Sequence, residues 1–270
     1  LMLTAFAEAA RVLQREDYRQ MAEQNGDFLL RELRTDEGRM HHTWMAGVPK
    51  VNGYLEDYAY LIEGLIELYQ TTFKPRWFVA AQELAETMIT HFQAEGFAGF
   101  YDTSDDHEEL IVRPRELQDS AVPSGNGMAA TVLLRLAGLS GEPGYEEIAR
   151  RSLSAVQDLL ASYPLGFSQW LIGLRYLLAH PREIGIVGDT DTDSARALIE
   201  TVFSGYHPHQ VVAVGHEASV PLLQDRSPVD GRAAAYVCID RVCRPPVTEP
   251  EDLLELLKGF ADQGSQHVDG

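Results

Sequence analysis

Apolar residues recur at three- and four-residue steps through residues 53–69. Leu55, Tyr58, Ile62, Leu65, Ile66 and Tyr69 make one helical face, and Glu56, Glu63 and Glu67 line another. Glu56 and Asp57 fall in the first turn, where the helix dipole favours negative charge. The pattern predicts a buried helix with an acidic start. The same period returns at three further places that align with one another. With Tyr18, Trp77 and Tyr145 as equivalent starts, apolar residues follow at matching offsets: Met21-Ala22, Ala80-Ala81 and Ile148-Ala149, then Leu29, Met88 and Val156, then Leu33, Phe92 and Leu160. The starts are 59 and 68 residues apart. Each of these helices has a partner just upstream, over residues 3–13, 55–69 and 128–137, and a last helix is predicted over 167–178.

Repeated helix pairs of this kind make a solenoid or a closed toroid of hairpins. The upstream helices carry small residues, among them Ala7, Ala10, Gly64, Ala129 and Ala130, which suits a crowded inner layer. The downstream helices carry more charge and suit an outer layer. Seven helices do not close a twelve-helix ring, so the ring is partial or continues upstream of Leu1. The chain opens inside an apolar helical pattern, as expected of a piece of a longer protein.

The connections hold the polar residues. Residues 38–44 and 96–103 have glycine entries and alternate apolar with polar, which predicts short strands or hairpins. Pro123-Ser124-Gly125-Asn126-Gly127 leads into the 128–137 helix. A shift by the repeat length lays Glu56 on Ser124, Asp57 on Gly125 and Tyr58 on Asn126. Two polar helix starts thus occupy equivalent positions and face one rim.

The pattern changes near His180-Pro181. Strands are predicted over 183–188 and 210–214, with a helix over 194–203 capped by Asp193 between them, giving a parallel, right-handed βαβ unit. A third strand follows over 233–239. A last helix follows over 253–260, opened by Thr248 and Glu251 at capping-box spacing. The expected organisation is therefore mainly α: a partial (α/α) helical-hairpin toroid over 1–180, a small α/β subdomain over 181–262, and a polar, disordered tail over 263–270.

Composition narrows the partners. The chain of 270 residues has 22 basic and 41 acidic residues, a net charge of -19, which disfavours nucleic acid and anionic membranes. No run of about 18 apolar residues is present, so no membrane span is expected. Two cysteines, Cys238 and Cys243, make no disulfide framework, and a cytoplasmic location is the default expectation. They bracket a strand end, where packing or an incidental disulfide accounts for them better than zinc, which needs about four ligands.

Several of these segments resemble a known family. Glu56-Asp57-Tyr58-Ala59 after Gly53, residues 100–106, Arg113-Pro114-Arg115-Glu116, Pro123-Ser124-Gly125-Asn126 and Ala235-Tyr236-Val237-Cys238 with Cys243 and Pro245-Pro246 are similar to the C-terminal portion of the YyaL / spermatogenesis-associated protein 20 family. The similarity runs over about residues 1–257. It implies a six-hairpin (α/α) toroid similar to those of N-acylglucosamine 2-epimerases and glycoside hydrolases, preceded by a thioredoxin-like domain. This chain has no thioredoxin-like portion and no Cys-x-x-Cys motif, so the resemblance implies a fragment.

The rim then carries the candidate chemistry. It gathers His41, His42, Trp44, Glu56, Asp57, Tyr58, Tyr101, Asp102, Asp106, His107, Ser124 and Asn126. Carboxylates serve glycoside hydrolysis, a base and an acid serve epimerisation, and aromatic faces stack on sugar rings. Asp57 and Asp102 are the first choices as catalytic pair, with the others binding substrate. His41 and His42 alternate in a strand, so one of them faces the pocket. Arg113 and Arg115 serve either an anionic substrate group or, as the favoured expectation, neutralisation of the acidic loop around His107. The glycines at 125 and 127 serve either close helix packing or an anion at the helix start. No regular metal-ligand spacing and no serine-hydrolase elbow occur, and Gly188-Asp189-Thr190-Asp191 lacks a dinucleotide fingerprint. No metal and no cofactor is therefore expected. The expected function is a sugar-processing or sugar-binding enzyme-like domain, epimerase- or glycosidase-like. The alternative is a non-catalytic interaction module that partners a thioredoxin-like domain.

Overall fold

The computed structural model describes residues 1–107, 111–216 and 220–264, with side chains to Lys258. The expected acidic loop at Glu108 and Glu109, and the tail from 265, lie outside the described residues. The protein is mainly α with a small α/β part. Its contacts divide it into two compact units: Leu1–Ala137 with Glu142–Arg175, and Gly138–Gly141 with the chain from Tyr176 onward.

The first unit is built from helices α1 (Met2–Val12), α2 (Glu16–Glu32), α3 (Leu55–Thr72), α4 (Pro75–Phe92), α5 (Gly125–Ser140), α6 (Pro143–Ala155), α7 (Gln157–Ser162) and α8 (Ser168–Leu178). Helices α3 and α5 are both deeply enclosed. The stripe of Leu55, Tyr58, Ile62, Leu65, Ile66 and Tyr69 is fully buried, and α3 packs against α1, α2 and α4. Burial of such side chains contributes roughly 1.5–3 kcal/mol each. One row of helices runs α1, α3, α5, α8. Leu3 fills the space at Gly64, Arg135 of α5 reaches Glu63 of α3, and Gln169 of α8 donates to Thr131 of α5. The second row runs α2, α4, α6, joined by Arg76–Asp27 and by Tyr145 donating to Glu86.

A buried charge network lies in the first row. Arg135 bonds Glu63 and Glu67, and Arg11 bonds Glu67 and Thr71. Burial alone would raise the Glu67 carboxyl, but the Arg135 and Arg11 guanidiniums overcome it and hold Glu67 at about 2. Burial pushes Glu63 up instead, and Arg135 only partly offsets that.

Two expectations change in this unit. The third outer helix breaks at Val156, which leaves the helical region and separates α6 from α7. Residues 96–103 form no strand; only a single bridge joins Gln93 to Phe100. At Phe100 the backbone is satisfied by the buried Asn126 side chain, which accepts from Phe100 N–H (2.8 Å) and donates to Phe100 C=O (3.1 Å). Residues 38–44 do enter a hairpin, β1 (His41–Met45) with antiparallel β2 (Val48–Asn52).

The second unit holds β3 (Arg182–Val187), α9 (Asp193–Val202), β4 (Gln210–Gly215), β5 (Ala234–Ile239), β6 (Val242–Cys243) and α10 (Pro250–Gly264). The sheet order is β4-β3-β5-β6. Strands β3 and β4 pair in parallel around α9, while β5 pairs antiparallel with β3 and β6 with β5. Helix α9 is capped one residue earlier than expected, by Thr192, whose hydroxyl accepts from Ala195 N–H (3.3 Å). Helix α10 starts at Pro250, so Thr248 stands outside the capping position. A disulfide joins Cys238 to Cys243 across β5 and β6.

Candidate functional site

A cleft of about 320 Å³ opens in the first unit where the chain enters α3 and α5. The two helix starts approach closely. A Cβ on Gly125 would stand 3.2 Å from the Glu56 backbone nitrogen, and one on Gly127 would stand 3.1 Å from the Trp170 ring. Both glycines therefore stand at close contacts between helix starts, and Gly125 also lines the cleft.

Each wall is fixed by backbone bonding. Ser124 caps α5: its hydroxyl accepts from Gly127 N–H (3.3 Å) and donates to Glu116 C=O (3.2 Å). Asp119 accepts from Ser124 N–H and Gln169 N–H, each at 2.8 Å, so one carboxylate ties the starts of α5 and α8 together. Trp170 donates to Leu117 C=O (2.8 Å) and pins the loop between them. Asp102 joins three segments. Its C=O accepts from Leu55 N–H, its N–H donates to Pro114 C=O, and its side chain accepts from Glu116 N–H (2.7 Å).

Of the residues the sequence singles out, His42, Glu56, Asp102 and Ser124 line the cleft. Asp57 stands behind His42 and accepts from its Nδ1 at 2.8 Å and from Tyr54 N–H at 2.8 Å. The second bond is the N3-to-N-cap half of a capping box. Asp57 thus both starts α3 and orients the imidazole. The His42 ring packs edge-on against Tyr54 (centroids 5.0 Å), and the His107 ring lies 5.3 Å from the same tyrosine.

The remaining candidates take other places. His41 is not among the residues that line the cleft. Trp44 packs on Phe28 of α2 at 5.3 Å. Tyr58 is buried, and its hydroxyl accepts from Met40 N–H (2.8 Å), fixing the hairpin entry. Tyr101 lies under the Arg113 guanidinium at 4.1 Å. Asp106 receives both Arg39 nitrogens, at 2.6 and 2.7 Å, and Ser104 Oγ at 2.7 Å. Asn126 is fully buried as the clamp on Phe100. The acidic loop that Arg113 and Arg115 are expected to neutralise lies partly outside the described residues, and against the burial that raises Asp102 the Arg115 charge does act to lower its carboxyl. Arg113 donates to Thr103 C=O, and Arg115 donates to Ala98 C=O (2.8 Å) while covering the Phe97 ring.

Sequence reading passed over Tyr54 and Glu116, which also line the cleft. Tyr54 sits next to the predicted helix start. Glu116 sits in the Arg-Pro-Arg-Glu run, where the arginines drew attention first. The cleft is acidic: Glu56, Asp102 and Glu116 line it, and no Lys or Arg is among its described lining residues. Burial raises the Glu56 carboxyl, and the Asp57 and Asp102 charges add to that while His42 opposes it. Burial likewise raises Asp57, against the bonds from Tyr54 and His42, and raises Asp102, against the bond from Glu116. Carboxyls held above their ordinary range in a concave, rigid setting are typical of proton-transfer sites. Elsewhere among the described residues, His91, Asp105 and Asp106 bring ligand-type atoms within 4.8 Å of one another. There Asp105 already bonds His91 and Asp106 holds Arg39, and none of the three lines the cleft.

No family model matches the chain. Over 95% of its length it is 30% identical to spermatogenesis-associated protein 20 of Rattus norvegicus and 28% identical to the protein of that name from Homo sapiens, covering 35% of each. It is 23% identical, over 96% of its length, to an uncharacterised protein of Caenorhabditis elegans, covering 37% of that protein. The chain spans about a third of the length of the curated relatives it matches. Along nearly all of its own length, the chain belongs to the spermatogenesis-associated protein 20 family.

Proposed function

We propose that the cleft between the starts of α3 and α5 binds a neutral, sugar-like polyol and moves a proton on it. His42 is the proton-transfer group, and Asp57 orients it. Glu56 and Asp102 supply the opposing acid. Asp57 thereby shifts from first-choice catalyst to positioning residue, because its carboxylate is engaged by Tyr54 N–H and His42. The observation that carries the reading is this dyad beside two cleft carboxyls raised by burial. Pairs of titratable groups in unlike environments are how one site runs acid and base steps together. The Tyr54 ring offers an apolar face for a sugar ring, and the Ser124 and Gln118 side chains offer hydroxyl partners in the lining. The acidic lining favours neutral or amino sugars over sugar acids and phosphates, since like charge opposes entry.

A thermal-shift series tests the reading. Neutral monosaccharides, an amino sugar and sugar acids are each added at millimolar concentration to wild type, Glu56→Gln and His42→Ala. The expected outcome is a melting-temperature rise in wild type with a neutral or amino sugar, reduced in both variants. No rise with any sugar, or a rise only with sugar acids, overturns it.

A further inference from the structure

We propose that Cys238–Cys243 is a dithiol–disulfide exchange site, reduced by a small external dithiol, in which Arg226 holds the thiolate released at Cys238. The bond sits where a staple is least needed. Cys238 and Cys243 are directly opposed in the β5–β6 ladder, and Ile239 pairs with Val242 beyond them. The turn that joins the strands is the two-residue Asp240-Arg241, with φ of 49° and 64°. Two left-handed residues form the hairpin turn that matches strand twist. The strands are therefore already closed, and a cross-link over so short a loop removes the least chain entropy.

The two sulfurs differ. Cys243 is exposed, while Cys238 is fully buried. Arg226 reaches both, with Nη2 3.2 Å from Cys238 Sγ and 3.4 Å from Cys243 Sγ. Its position is built. Tyr236 of β5 donates its hydroxyl to Ser227 C=O (2.8 Å) and accepts from Ser227 N–H (3.3 Å), which anchors the adjoining segment. Gly185 of β3 leaves the space in which Arg226 Cδ lies, 3.5 Å from where a Cβ would stand. The other charged neighbours are Glu183, opposite Cys238 in β3, Asp225 beside Arg226, and Asp240 and Arg241 in the turn. A guanidinium at a sulfur favours the thiolate, which is both the better leaving group and the nucleophile.

The exchange follows from this asymmetry. A thiolate of the external dithiol attacks the exposed Cys243 Sγ. A mixed disulfide forms, the S–S bond breaks, and its electron pair stays on Cys238 Sγ beside Arg226. The second thiol of the reductant, as thiolate, then attacks its own sulfur in the mixed disulfide and releases Cys243. The reductant leaves as a disulfide, both cysteines are reduced, and the two protons of the dithiol pass to the protein thiols or to solvent.

The test uses the full chain with dithiothreitol at pH 7 and no denaturant. Aliquots are acid-quenched, alkylated and read by mass spectrometry of the Cys238–Cys243 peptide, while circular dichroism follows the fold. The expected result is complete reduction with the fold retained, slowed about tenfold in Arg226→Gln and largely restored in Arg226→Lys. On the reduced wild type, iodoacetamide labelling of Cys238 should reach half its maximal rate below the value of about 8.5 for a free thiol. Three results each overturn the proposal: reduction only after unfolding, an Arg226→Gln rate equal to wild type, or half-maximal labelling at or above the free-thiol value. The labelling measurement needs no variant, so it decides the matter even if Arg226→Gln fails to fold.

Discussion

One carboxylate oxygen of Asp57, Oδ2, accepts both the Nδ1–H of His42 and the backbone N–H of Tyr54, each at 2.8 Å. A carboxylate can only accept, so Nδ1 carries a ring proton. The start of the central helix and the orientation of the imidazole are therefore one feature.

That coupling makes Asp57 a stability residue as well as the partner of a cleft-lining histidine. Asp57→Ala should destabilise the first unit by about 1 kcal/mol, the scale of a lost helix-start bond. Asp57→Asn keeps an acceptor and should cost less, while still weakening ligand-induced stabilisation. Urea denaturation of both variants, with and without ligand, separates the effects. An Asp57→Ala protein as stable as wild type would remove the capping role.

Raised carboxyls in the cleft act against stability at neutral pH. Glu56 is raised chiefly by burial, then by Asp57 and Asp102. A raised carboxyl binds its proton more readily folded than unfolded. Folding is thus favoured as pH falls through the folded-state value, and the full penalty stands above it. Glu56→Gln should therefore be more stable than wild type at pH 7, and the difference should shrink toward pH 4. Urea midpoints at the two pH values check this; a variant less stable at pH 7 would contradict it.

The helices were legible because burial imposes a 3.6-residue period, and the α3 stripe from Leu55 to Tyr69 is both the predicted face and the buried one. The two strands of the βαβ unit were legible as short β-branched runs. What escaped were effects of residues distant in sequence. Nothing local marks Asn126 as the group that satisfies Phe100, 26 residues away, within the segment where the pattern predicts a strand. The break at Val156 lies inside an unbroken apolar pattern. In the cleft, polar and acidic residue types were recognisable, but their facing was not. Tyr58 and Asn126 turned into the core, Asp106 to Arg39, and Glu116 entered through a backbone bond to Asp102.

The Arg135 network offers a separate test of the helix rows. Arg135 is the shared partner of Glu63 and Glu67, and all three are nearly buried. Arg135→Met fills much of the volume but strands two carboxylates, with Arg11 left to serve Glu67 alone. The expected loss is roughly 3–5 kcal/mol, as for other buried pairs that lose one partner. The sign with pH also follows. Glu67 is held at about 2, so its contribution is fully present above the ordinary carboxyl range and is lost as pH falls toward that value. Acid titration of unfolding in wild type and Arg135→Met should show the variant's deficit narrowing at low pH.

Asn126 links packing to the site. Its side chain holds both backbone groups of Phe100, and Asp102, two residues on, lines the cleft. Asn126→Ala strands a buried N–H and a buried C=O, which should cost about 2–4 kcal/mol in all. The damage should spread along the segment, because Asp102 N–H and C=O also join it to Pro114 and Leu55. Hydrogen exchange should accelerate at Phe100, Tyr101 and Asp102, and ligand-induced stabilisation should fall. Leu133→Ala, a core truncation in the same helix α5, is the control. It should destabilise by a similar amount while leaving exchange at those three amides unchanged relative to the rest of the unit. If both variants accelerate the 100–102 amides equally, the Asn126 clamp is ordinary packing and does not position Asp102.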